Sequence, residues 1–260
     1  MNDNTALNAL GLALDGKVAL VTGSGRGLGL AMARGLALAG ARVRLNGRDP
    51  AQLATAQEQL ASEGIAVDIL PFDVEDEEAC RNALDELQQD GGIDILINNV
   101  GIRDRRGLFE LDVTDLRRML DNHVVATFGL ARLAAPQMIA KGEGRIINLV
   151  SISAFLASAG DPAYSTAKGA LVSLTRALAA ELGAHGITVN AIAPGPFATE
   201  TNATLAGSPE GQGLVARRNS LGRWGRPEEI AGAAVYLASP AASFVSGHIL
   251  AVDGGLLSHF

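Results

Sequence analysis

Residues 17–29 constrain this chain more than any other stretch. Lys17–Thr22 (KVALVT) is a short apolar run, and it leads directly into Thr22-Gly23-Ser24-Gly25-Arg26-Gly27-Leu28-Gly29. An Ala/Leu-rich helical stretch follows to about Ala39. A buried strand, a glycine turn and a helix, in that order, aim free N–H groups and positive potential at the turn, where the backbone can close on a pyrophosphate. Gly23, Gly27 and Gly29 supply the close approach, and Ser24, Arg26 and Leu28 sit among them as candidate cofactor contacts. A glycine-rich stretch alone says little; the strand before and the helix after give it meaning.

The alternation continues. Arg42–Asn46, Ala66–Phe72, Ile93–Asn98, Arg145–Val150, Ile187–Ile192 and His248–Val252 read as strands, with helices such as Pro50–Glu63 and Ala163–Leu182 between them. Nearly continuous apolar strands separated by helices predict an α/β fold: one Rossmann-type, doubly wound parallel sheet of about seven strands. Residues 1–260 read as a single domain, with 1–13 as an N-terminal extension. The Gly/Pro/Ser/Thr-rich segment 194–226 should leave the C-terminal edge of the sheet, where ligands of open α/β sheets bind, and is expected to be a substrate lid.

Composition excludes several classes of partner. A net charge of −7 argues against a nucleic-acid face, and no apolar run approaches the roughly 20 residues of a membrane helix. Met1–Ala13 lacks the positive start of a signal peptide, and the lone Cys80 cannot form an internal disulfide. A cytoplasmic protein acting on a small molecule is expected, with no metal.

The end of the second strand meets the adenosine ribose in such folds, and an acidic residue there would repel a 2′-phosphate. Here it reads Leu45-Asn46-Gly47-Arg48. Arg48 offers a planar fork for a phosphate and Arg26 a second cation, which favours NADP(H). Asp49, one residue on, keeps NAD open.

Tyr164 and Lys168 are four apart and share one face of a helix. A tyrosine near its free pKa of about 10 is a poor base, and a neighbouring ammonium stabilises its phenolate. The TGxxxGxG turn, Asp73, Asn98-Asn99-Val100-Gly101, Ser151, Tyr164-Ser165-Thr166-Ala167-Lys168, Pro194-Gly195 and Thr199 together resemble the short-chain dehydrogenase/reductase family over nearly the whole chain. The resemblance implies that Tyr164 is the acid/base, Lys168 its electrostatic partner and ribose ligand, and Ser151 the donor to the substrate oxygen. It also implies cofactor contacts from Asn46, Asp73, Val74, Asn99, Gly101, Pro194, Gly195, Phe197 and Thr199, and a homotetramer. Arg223–Glu229 and the ending Val252-Asp253-Gly254-Gly255 look most like gluconate 5-dehydrogenases and 3-oxoacyl-carrier-protein reductases.

One position departs from the family. Where an asparagine usually helps to place the lysine, ungapped counting gives His123, with Asn122 one residue earlier. Either His123 replaces the asparagine, as an imidazole titrating near neutral pH, or a helix irregularity brings Asn122 into place. Arg103, Arg105 and Arg106 follow the fourth strand and could bind a carboxylate or a phosphate. A cofactor-binding regulator or scaffold with weak catalysis is the competing reading; Ser151, Tyr164 and Lys168 speak against it, and the chain is short for an epimerase or dehydratase of the extended relatives.

Overall fold

The structure, a computed structural model, describes residues 4–259. Residues 1–3 of the N-terminal extension lie outside that range. Helix α1 (Asn4–Ala9) precedes β1 (Val18–Val21), α2 (Gly27–Leu38), β2 (Arg42–Leu45), α3 (Pro50–Ser62), β3 (Asp68–Ile69), α4 (Glu77–Gln89) and β4 (Ile95–Asn98). Helix α5 (Val113–Leu120) passes through a π-turn (Asp121–Val125) into α6 (Ala126–Lys141). Then come β5 (Gly144–Leu149), α7 (Pro162–Leu182), β6 (Ile187–Pro194), α8 (Ala203–Gly207), α9 (Pro209–Ala216), α10 (Ala231–Ala238) and β7 (Ile249–Val252).

The strands form one parallel sheet in the order β3-β2-β1-β4-β5-β6-β7. Their side chains alternate between two cores, which is why the sequence shows unbroken apolar runs. Ala19, Val21, Ile95 and Ile97 point into a core shared with α2, α3 and α10. Val18, Leu20, Leu96 and Ile146 point into the opposite core, under α4, α6 and α7. This is the doubly wound α/β domain that the alternation predicts. Among the described residues, no helix is long and apolar enough to cross a membrane.

Two expected boundaries differ. The third strand is only Asp68–Ile69 rather than Ala66–Phe72. The Leu70 and Phe72 N–H groups still reach the Leu45 and Gly47 carbonyls, but their own carbonyls each take a 3.1 Å bond from the Asn46 side-chain amide instead of a backbone N–H. Segment 194–226, the expected lid, is largely helical in its middle. It carries α8 and α9 over a small cluster of Ala206, Val215 and Trp224, and a bridge from Phe197 to Gly225 ties down its ends.

Strand order reverses between β1 and β4, so the crevice for a ligand opens beyond the C-terminal ends of those strands. Thr22 and Asn99 stitch it: the Asn99 N–H donates to Thr22 Oγ1 at 2.9 Å, and its side-chain amide donates to the carbonyls of Thr22 and Gly23, both at 2.9 Å.

Candidate active site

The cleft at this crevice measures about 460 Å³. The glycine turn forms its floor. Gly23 and Gly27 adopt φ of +60° and +58°, a conformation costly for other residues. At Gly29 a Cβ would lie 2.4 Å from the Gly23 carbonyl oxygen, so only glycine lets α2 pack this close to the turn. Arg26 occupies the N-cap of α2 without a side-chain cap bond, which leaves the first N–H groups of the helix to face the cleft. Ser24 is buried and structural: its hydroxyl donates to the Val21 carbonyl at 2.7 Å and accepts from the Asn46 N–H at 2.9 Å.

At one end, Arg26, Asn46, Arg48, Asp73 and Val74 line the cleft. The Arg48 side chain is 75% exposed and 3.6 Å from the Asp73 carboxylate. Asp49, which left NAD open in the sequence, caps α3 by accepting from the Ala51 N–H at 2.9 Å. Leu28, Asn99, Gly101 and Thr199 continue the wall, and Thr199 is joined by Glu200, Thr201 and Asn202 at the start of segment 194–226. Pro194, Gly195 and Phe197 do not line the cleft. The Gly195 N–H extends the β6–β7 pairing to the Val252 carbonyl, and Phe197 is 4% exposed against the core.

At the other end Tyr164 lines the cleft, with the buried Ser151 and Lys168 beside it but outside the lining. Lys168 is 4% exposed and donates to the Leu149 carbonyl at 2.7 Å, with its Nζ 5.7 Å from the Tyr164 ring centre. Burial lowers its pKa to about 7. Burial pushes the Tyr164 phenol up, while the hydrogen bond with Ser151 and the charges of Arg103 and Arg105 pull it down. Ser151 Oγ accepts from the Ser153 N–H at 3.1 Å, and its hydroxyl proton is engaged with the Tyr164 phenol.

The three arginines after β4 divide. Arg106 is held by Asp104 of its own loop and by Asp115 of α5. Arg103 and Arg105 line the cleft. The Arg103 guanidinium lies 4.9 Å over the Tyr164 ring and is paired with the buried Asp161.

The π-turn resolves the odd position in an unexpected way, because it presents both neighbours to the same loop. Asn122 Oδ1 accepts from the Ile102 N–H at 3.1 Å, and His123 Nε2 meets the Ile102 carbonyl at 2.7 Å. His123 is 1% exposed and stands edge-on to Tyr164, 5.7 Å between ring centres. The expectation that it titrates near neutral pH does not hold: burial, helped by the Lys168 charge, lowers it to about 3.

Known proteins match along the whole site. A family model described as enoyl-(acyl carrier protein) reductase matches residues 23–257. Gluconate 5-dehydrogenase of Gluconobacter oxydans is 42% identical over 245 residues, covering 94% of this chain and 96% of that protein. The 3-oxoacyl-[acyl-carrier-protein] reductase of Aquifex aeolicus is 35% identical, over 94% of this chain and 99% of that one. A crystal structure of a gluconate 5-dehydrogenase from Burkholderia cenocepacia in complex with NADP and tartrate superposes with a TM-score of 0.91 at 41% identity, covering 97% of this chain and all of that one. With the glycine turn, Asn99 and Tyr164 lining one cleft, and Ser151 and Lys168 beside Tyr164, the chain belongs to the short-chain dehydrogenase/reductase family.

Proposed function

We propose that this protein is an NADP(H)-dependent oxidoreductase that interconverts a ketone and a secondary alcohol on a sugar acid such as 5-ketogluconate. The observation that carries the reading is Tyr164 at the end of a cleft floored by a glycine turn, backed by the buried Lys168 and Ser151. The residues present fit the dinucleotide: the uncapped α2 N-terminus and the cradle at Gly29 suit the pyrophosphate, and Arg48 and Arg26 suit a 2′-phosphate. When bound, the nicotinamide supplies or accepts the hydride at the substrate carbon.

The chain handles the proton. In reduction, Tyr164 gives its hydroxyl proton to the carbonyl oxygen as the alkoxide develops, and Ser151 donates a hydrogen bond to the same oxygen. The Lys168 ammonium and the Arg103 guanidinium stabilise the phenolate left behind. In oxidation the phenolate takes the alcohol proton back. Arg103 and Arg105, unlike Arg106, are placed to meet a substrate carboxylate, which favours an acid over a neutral ketone.

Segment 194–226 serves as a lid whose start, at Thr199–Asn202, closes on the cofactor. The protein works as a homotetramer in the cytoplasm. Val125 and Phe128 are 57% and 46% exposed, and a side chain at Gly129 or Gly169 would meet open space, a surface that suits helices of another copy.

A panel of keto acids, neutral ketones and a 3-oxoacyl thioester, followed by NADPH absorbance, tests this reading. Reduction of 5-keto-D-gluconate or a close keto acid is expected, with Tyr164→Phe inactive but still binding NADPH. Full activity of that variant, or binding of NADPH with no turnover of any ketone, overturns it.

A further inference from the structure

We infer that Asn122 and His123 are positioning residues that grip the Ile102 peptide from both sides and thereby hold Arg103 over the Tyr164 ring. The inference rests on the reading above, in which Arg103 meets the charged end of the substrate.

Each half of the grip is defined by chemistry. The Asn122 side-chain amide donates to Glu75 Oε1 at 2.6 Å, and a carboxylate can only accept. The amide oxygen must therefore face the other way, and there it accepts from the Ile102 N–H. A carbonyl likewise can only accept, so His123 Nε2 carries the proton that it donates to the Ile102 oxygen. His123 Nδ1 is then the acceptor, and it has no partner among the described residues. With its pKa lowered to about 3, the imidazole keeps this donor arrangement across the physiological range.

Packing shows that the fit is specific. A Cβ at Gly101 would lie 2.4 Å from His123 Cε1, so the loop can approach the imidazole only through a glycine. An α-helical turn would aim residues 122 and 123 about 100° apart. The π-turn Asp121–Val125 widens the helix where the two must converge. Arg103 follows immediately, held from its far end by Asp161. The loop is thus gripped at the Ile102 backbone and at the Arg103 guanidinium, with Tyr164 under the latter.

The test uses the full-length holoenzyme with 5-keto-D-gluconate, or the keto acid of the panel that it reduces fastest. Asn122→Ala is expected to raise KM about tenfold with a smaller change in kcat, the pattern of Arg103→Ala. In an Arg103→Ala background, Asn122→Ala should add less than about twofold, because both act through one contact. Hydrogen exchange of the segment around Ile102 should speed up about tenfold in Asn122→Ala and in His123→Leu. His123→Gln, whose Nε2 can reach the same carbonyl, should restore both exchange and KM.

Unchanged exchange at Ile102 in both Asn122→Ala and His123→Leu overturns the grip, as does an additive double variant. A loss in His123→Gln confined to kcat overturns it as well, because that loss belongs to proton transfer. Arg103→Ala with unaltered KM instead overturns the substrate reading and the specificity role built on it; hydrogen exchange then still decides the grip by itself.

Discussion

Arg103 sits with its guanidinium carbon 4.9 Å from the centre of the Tyr164 ring, and Asp161 pins it there. Charges of opposite sign thus act on the phenol: Arg103 pulls the Tyr164 pKa down and Asp161 pushes it up. The proposed alcohol oxidation needs Tyr164 ionised. Arg103→Ala should move the acidic limb of kcat/KM to higher pH, by up to about one unit, and Asp161→Asn should move it less, in the other direction. Shifts of the same sign in the two variants contradict this division.

Coenzyme choice should follow Arg48 and leave Asp49 aside. Arg48→Ala is expected to weaken NADPH binding about tenfold or more and NADH binding hardly at all, because only NADPH carries the 2′-phosphate. Asp49 is the cap of α3, so Asp49→Ala should cost about 1 kcal/mol of stability without changing the preference. Fluorescence titration with each dinucleotide and urea unfolding separate the two effects.

Gly29→Ala places a methyl 2.4 Å from the Gly23 carbonyl oxygen and 2.5 Å from the Asn99 amide nitrogen. Neither neighbour can retreat without opening the stitch between β1 and β4. A loss of about 1–3 kcal/mol and a failure to retain NADPH are expected, checked by thermal unfolding with and without the dinucleotide.

Two buried bases should give pH signatures of the same sign in different windows: stability rises with pH between about 3 and 6.5 for His123 and between about 7 and 10.5 for Lys168. Lys168 titrates at about 7 in the folded apoprotein and near 10.5 when unfolded, so folding bears a charge penalty that is full below pH 7 and fades as pH rises towards 10.5. Lys168→Met should therefore be inactive yet more stable at pH 6–7, by an amount on the order of 3 kcal/mol, with the gain vanishing near pH 10. His123 titrates at about 3 folded against 6.5 unfolded, so stability is lost as pH falls from 6.5 towards 3. His123→Gln should flatten that acid limb, and urea unfolding across pH 4–10 reads both.

The sequence by itself determined the sheet, the glycine turn and the pairing of Tyr164 with Lys168. Each rests on local order: apolar strands buried on both faces, glycines where the backbone must turn or touch, and a four-residue spacing on one helix. Tertiary structure decided what depends on which segments meet. Three arginines in one loop look alike in sequence, yet Arg106 is spent on Asp104 and Asp115 while Arg103 reaches Tyr164. Asp49 is a cap because α3 begins beside it, and Phe197 is core because segment 194–226 folds back through Gly225. Residues 122 and 123 posed a choice of one or the other under α-helical geometry. A π-turn, which residue spacing alone does not reveal, turns both towards Ile102.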